Sequence, residues 1–209
     1  MPWRAGRAVT YARARMSPEH SMLLLASASP RRRELLGTLG LRFDCLATEV
    51  DETLLPGELP EEAAARLAIA KAEAGAKRRP EAVVLGADTL VVLEGRAYGK
   101  PRDLAEAAAM LRELSGRTHH VWTAVAVARA GEPTLHRAVV AEVDFRALSA
   151  AEIAAYVATD EPLDKAGGYA IQGRAAAFVT ALRGELSTVI GLPMRATLEL
   201  LRARQVIAP

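Results

Sequence analysis

The chain has 209 residues, 51% of them apolar, so a folded protein with one sizeable core or two small lobes is expected. Its 27 basic and 25 acidic residues leave a formal net charge of +2, too balanced for general binding to nucleic acid or a membrane surface. A single cysteine, Cys45, excludes an intrachain disulfide and a cysteine metal cluster and fits a reducing cytoplasm, and no apolar run approaches the ~18 residues of a membrane span.

Residues 1–20 carry Arg4, Arg7, Arg13 and Arg15 and no acid before Glu19. No apolar signal core follows, so the stretch reads as a disordered basic tail outside the fold. Residues 21–209 are expected to form one α/β domain. Met22–Ala26 reads as a buried strand. It runs into S-A-S-P-R-R-R-E-L-L, Ser27–Leu36, with Ser29 at an N-cap position and Pro30 at the first helical position. Arg31, Arg32 and Arg33 then fall in the first turn, the helix end that already carries partial positive charge. An anion held there by free N–H groups, serine hydroxyls and guanidinium forks accounts for the placement; an arginine-rich surface helix is the plainer account.

A second strand is expected over Arg42–Ala47. The acidic run Thr48–Thr53 (T-E-V-D-E-T) is either a charge-paired or metal-facing loop or simply a solvated one. Pro60 opens a helix to about Gly75 that carries Lys71, a residue usually found on a solvated face at such a position. Ala82–Leu85 and Leu90–Leu93 read as apolar segments broken by Gly86-Ala87-Asp88-Thr89, followed by a hairpin turn at Glu94-Gly95. Asp88, between two apolar segments, is costly unless paired, bonded or metal-bound, which points to a general base or ligand rather than a turn aspartate.

Asp103 and Glu106 predict a capping box for a helix over Leu104–Leu114, and Ser149 and Glu152 predict another for a helix to about Ala158. His119–Arg129 and Leu135–Leu148 read as antiparallel strands. The adjacent His119 and His120 must face opposite sides of a strand, which argues against joint metal ligation. The glycine-rich stretch Thr159–Arg174 has no clear period and suits a ligand-binding loop. A strand over Ala175–Leu182, a turn at Arg183-Gly184-Glu185, and Ser187–Pro193 leading into a last amphipathic helix over Met194–Arg204 complete the expectation.

Taken together, L-A-S-A-S-P-R-R-R-E-L-L, G-A-D-T, G-K-P, L-S-G-R-T-H, D-K-A-G-G-Y-A-I-Q-G and G-L-P resemble the Maf family of nucleoside triphosphate pyrophosphatases, in the family's order and spacing, from about Leu24 to Leu201. The resemblance implies a curved mixed sheet flanked by helices, with two lobes around a cleft as in the inosine triphosphatases. It implies hydrolysis of a nucleoside triphosphate, dTTP or UTP by the spelling of the glycine-rich loop, to the monophosphate and pyrophosphate with Mg²⁺ or Mn²⁺. It also implies a homodimer. By the same resemblance Asp88 is the proton acceptor, and Arg31 or Arg32, Thr89 and Gln172 govern substrate choice. Ser27, Glu52, Lys71, Lys100 and Lys165 match polar positions lining the cleft. Glu52 and Asp88 are the candidate metal ligands, since Mg²⁺ takes one or two carboxylates beside phosphate oxygens. Thr188 and Ala175 depart from the pattern, which commonly has asparagine and glycine there. The alternative function is a non-catalytic nucleotide-binding regulator of cell division using the same cleft.

Overall fold

The computed structural model describes residues 22–159 and 161–208; the tail expected over residues 1–20 lies outside them. In chain order the elements are β1 (Leu23–Leu25), α1 (Pro30–Gly37), β2 (Asp44–Cys45), α2 (Pro60–Arg78), β3 (Val83–Leu93), β4 (Arg96–Tyr98), α3 (Leu104–Leu114), β5 (Thr118–Ala128), β6 (Leu135–Phe145), α4 (Ala150–Val157), β7 (Val179–Arg183), α5 (Leu186–Ile190) and α6 (Met194–Ala203). Two 3₁₀ turns, Ala166–Gly168 and Arg174–Phe178, lie between α4 and β7. The seven strands form one mixed sheet in the order β2-β1-β3-β5-β6-β7, with β4 paired to β3; β1 is parallel to β2 and β3, and the other pairs are antiparallel.

The alternation of strand β3 divides the core. Val83, Leu85 and Ala87 enter one apolar cluster with Leu36, Leu192 and α6. Val84, Leu90 and Val92 face the opposite way, against the alanines of α2. Val91 and Leu93, further along the first face, enter a third cluster with α3, α4, Phe145 and Tyr169. On that face Thr89 separates the two clusters, and one residue before it Asp88 points to the α2 side. Along one edge β3 pairs with β1 at Val83–Leu85 and with β4 at Val91–Leu93, and no ladder partner covers Gly86–Leu90 there. A cleft of about 430 Å³ opens at this gap and is lined by side chains from both faces, Asp88 and Thr89 among them.

Several expectations are corrected. Gly86-Ala87-Asp88-Thr89 does not interrupt two segments: β3 runs unbroken for 11 residues, because β5 pairs with it from Val84 to Val92. The second strand shrinks to two residues. The helix expected to stop near Gly75 continues to Arg78, since Gly75 packs against Val84 and Ala26 rather than ending the helix. The strand expected from Ala175 begins only at Val179; the residues before it form a 3₁₀ turn that buries Ala175 and Phe178. The stretch Ser187–Pro193, to which the sequence assigned no element, begins within the short helix α5. Asp103 does cap α3, accepting from the Glu106 N–H at 2.8 Å, but the Glu106 carboxylate turns to the Arg102 N–H at 2.7 Å, so the box is only half made. The box at Ser149 and Glu152 is complete.

Candidate active site

The turn leaving β1 is built by its two serines. Ser27 Oγ accepts from the Ser29 N–H at 3.1 Å, and Ser29 Oγ accepts from the Arg32 N–H at 3.4 Å, capping α1. No acidic residue stands in the first turn of α1. The guanidinium groups of Arg31 and Arg32 turn into the cleft, not to bulk solvent. Arg32 donates from Nε to the Gly191 carbonyl at 2.9 Å, from Nη2 to Thr89 Oγ1 at 3.2 Å and from Nη1 to Ser27 Oγ at 3.4 Å. Burial lowers its pKa from the ordinary arginine value, with Asp88 pulling the other way. Gly191 has φ 116°, and a Cβ there would stand 3.2 Å from Thr89 Oγ1, so glycine fits this corner.

Arg31 reaches across to the glycine-rich stretch, donating to Asp164 Oδ2 at 3.0 Å and to the Asp164 carbonyl at 3.3 Å. Lys165 contacts the same carboxylate and donates to the Glu161 carbonyl at 2.6 Å. Burial alone would raise the Asp164 pKa, but Lys165 and Arg31 hold it below the usual carboxylate range.

On the α2 side of β3, Lys71 Nζ lies 2.6 Å from Asp88 Oδ1 and 2.6 Å from Glu52 Oε1. The solvated lysine expected from its position on α2 is therefore corrected: Lys71 is 7% exposed and Asp88 6%. The cause is the close seating of α2 on β3, where a Cβ at Gly86 would stand 2.4 Å from the Ala68 carbonyl oxygen. Glu52 is half exposed. Burial would raise its pKa, but the hydrogen bond and charge of Lys71, with Lys100 and Arg32, keep it below the ordinary glutamate value. The loop that carries it is strapped by Arg66, which grips Glu58 at 2.6 and 2.7 Å and the Thr53 carbonyl at 3.1 Å. The acidic run is thus a charge-paired loop at Glu52.

All ten residues singled out in the sequence line the same cleft. Ser27, Arg31, Arg32, Glu52, Lys71, Asp88, Thr89 and Lys100 come from β1, α1, α2, β3 and the loops beside them, while Lys165 and exposed Gln172 come from the glycine-rich stretch. Asp164, Gly191 and Thr123 were not singled out. Asp164 sits inside a quoted motif, D-K-A-G, yet its partner Arg31 is 133 residues away, and nothing local shows it.

The Maf-like protein family matches residues 22–204. The chain belongs to that family. Among its curated relatives, the dTTP/UTP pyrophosphatase of Aromatoleum aromaticum is 49% identical over 202 residues, spanning 90% of this chain and 98% of that protein. The dTTP/UTP pyrophosphatase of Escherichia coli is 50% identical over 180 residues, spanning 86% and 91%. The Ham1 protein of Staphylococcus aureus overlays 88% of this Maf-like chain and 97% of its own with a TM-score of 0.46 at 15% identity, a loose likeness that carries no functional argument.

Proposed function

We propose that this Maf-like protein is a nucleoside triphosphate pyrophosphatase that hydrolyses dTTP and UTP, or modified pyrimidine nucleotides, to the monophosphate and pyrophosphate. The observation that carries the reading is the buried Asp88 carboxylate, held by Lys71 beside a ring of arginine and lysine side chains, in a chain about half identical to proteins of that name over nearly their full length.

Hydrolysis at the α-phosphorus needs the polyphosphate charge neutralised, a water aligned and the leaving pyrophosphate stabilised. Arg31, Arg32, Lys100 and Lys165 supply the positive charge. Lys71 holds Asp88 by one carboxylate oxygen; among the described residues no other donor reaches that carboxylate, which leaves its second oxygen for a water. Asp88 takes a proton from that water as its oxygen bonds to the α-phosphorus and the bond to the β-phosphate bridging oxygen breaks, releasing pyrophosphate. Gln172, with both an amide donor and an acceptor, suits the O4/N3 edge of uracil or thymine.

Among the described residues no three of His, Cys, Asp and Glu gather as a ready metal cage. Glu52 and Asp88 nevertheless already converge on one cation, the Lys71 ammonium, so the donor set fits a Mg²⁺ or Mn²⁺ ion that relies on substrate oxygens for its remaining ligands. Such an ion, held by Glu52 and Asp88, would supply further charge neutralisation to the phosphates. The family reading also carries a cytoplasmic homodimer, which sedimentation equilibrium checks for its assembly.

The deciding assay is pyrophosphate release from dTTP and UTP with Mg²⁺. Asp88→Asn is expected to lower kcat by at least about 100-fold with an unchanged circular dichroism spectrum, because Lys71 keeps Glu52 as partner. Near wild-type turnover in that variant removes Asp88 as the base. Stoichiometric binding by the wild type without pyrophosphate release would replace the enzyme with the regulator.

A further inference from the structure

Thr123 lies on β5 directly opposite Thr89 and is fully buried. Its Oγ1 is 2.7 Å from the Thr188 carbonyl oxygen and 3.0 Å from Thr89 Oγ1. A carbonyl can only accept, so the single Thr123 proton must lie on the 2.7 Å contact. The 3.0 Å contact then needs its proton from the other side: Thr89 donates to Thr123. With its proton spent, Thr89 Oγ1 can only accept. One of its lone pairs takes the Arg32 Nη2 donor at 3.2 Å, and the other is left to the cleft that Thr89 lines. Phosphate oxygens are acceptors too and gain nothing at such a point. A ring N–H gains a hydrogen bond there. Uracil and thymine carry an N–H at N3, where cytosine has an unprotonated acceptor nitrogen.

We propose that Thr123 is a positioning residue that fixes the Thr89 hydroxyl as an acceptor toward the cleft and thereby selects uracil and thymine nucleotides over cytosine nucleotides. The inference rests on the proposed function for its substrate class. Its machinery is the chain of protons from Thr89 to Thr123 to the Thr188 carbonyl, with Thr188 on α5, so base choice is tied to how α5 seats on the sheet. Replacing Thr123 by the isosteric valine removes the acceptor for the Thr89 proton. Thr89 can then turn and donate to cytosine N3.

The experiment measures kcat/KM for UTP, CTP and N3-methyl-UTP in the wild type, Thr123→Val and Thr123→Ser, and in parallel the affinities of the non-hydrolysable α,β-methylene analogues of UTP and CTP by calorimetry. In Thr123→Val the UTP-to-CTP ratio is expected to fall about tenfold in both rate and affinity, and Thr123→Ser to restore it. The wild type is expected to lose about tenfold on N3-methyl-UTP, a loss that shrinks in Thr123→Val. An equal fall for UTP and CTP in Thr123→Val, or full wild-type activity on N3-methyl-UTP, overturns the proposal and leaves Thr123 a packing residue. A wild type that splits UTP from CTP analogues in affinity, and loses that split in Thr123→Val, but releases no pyrophosphate would sink the proposed function while upholding this inference. If Thr123→Val does not fold, N3-methyl-UTP against the wild type and the Thr123→Ser ratios decide it.

Discussion

His119 shows how much a single ring can commit the core. It is fully buried, edge-on to Phe145 and Tyr169 with centroids 4.8 and 5.4 Å away, and its Nε2 is 2.8 Å from the Tyr169 hydroxyl. His120, next in sequence, faces the other way and is exposed, as strand alternation requires. Burial pushes the His119 pKa from 6.5 down to about 4, with the charge of His120 adding to the effect. The unfolded chain therefore takes up a proton near pH 6.5 that the folded chain refuses until about pH 4. Its contribution is undiminished above pH 6.5, falls as the pH drops through that window and levels off below it, a loss of about 3 kcal/mol in all. His119→Phe should flatten this part of the pH dependence, at the cost of about 1 to 3 kcal/mol at neutral pH for the unpaired Tyr169 hydroxyl. Urea unfolding at pH 4.5, 5.5 and 7 checks both; parallel curves for the two proteins would remove the histidine as the titrating group.

At the scale of elements, the seat of α2 on β3 decides the site. Five alanines of α2, Ala63, Ala64, Ala68, Ala72 and Ala76, are buried, and Gly86 lets the helix come close enough for Lys71 to reach Asp88. Gly86→Ala would drive a methyl group into the Ala68 carbonyl and the Ala72 N–H, at 2.4 and 2.6 Å. We expect it to cost about 3 kcal/mol, the upper range for overpacking, and to lower turnover by moving Lys71. Gly37→Ala, at the end of α1 where a Cβ meets nothing within 4 Å, is the control and should leave stability unchanged or raise it by up to about 1 kcal/mol. Thermal unfolding of both variants tests the argument, which fails if they behave alike. The sequence made the periodic pieces of this arrangement readable: the proline-initiated helices, the Glu94-Gly95 hairpin and the alternation of β5. It hid whatever depended on a distant neighbour. Lys71 looked solvated because the two acids that pair with it, Glu52 and Asp88, both lie outside its own helix, and Asp88 looked like a break because its pairing with β5 comes from more than 30 residues away. Eight of the ten site residues stand in the short motifs, all but Glu52 and Lys71, whereas Thr123 stands in the otherwise apolar run Val121–Ala128, and its meaning appears only when Thr89 is laid opposite it.

On the scale of the whole molecule, one sheet serves three apolar clusters, and its polar interruption falls where they part. The break in pairing along one edge of β3 lets neighbouring residues of opposite facing, Asp88 and Thr89, open on a common hollow, so chemistry and recognition reside on successive residues of one strand. The ammonium shared by Glu52 and Asp88 has a consequence for the fold as a unit. Two acids brought together normally repel, and many metalloproteins need an inorganic counterion to tolerate them. Here the chain carries its own resident counterion, so a chelator should silence catalysis without loosening the scaffold. Calorimetric melting with and without EDTA is expected to give the same midpoint within about 1 °C, and a fall of several degrees would show that Lys71 is not enough.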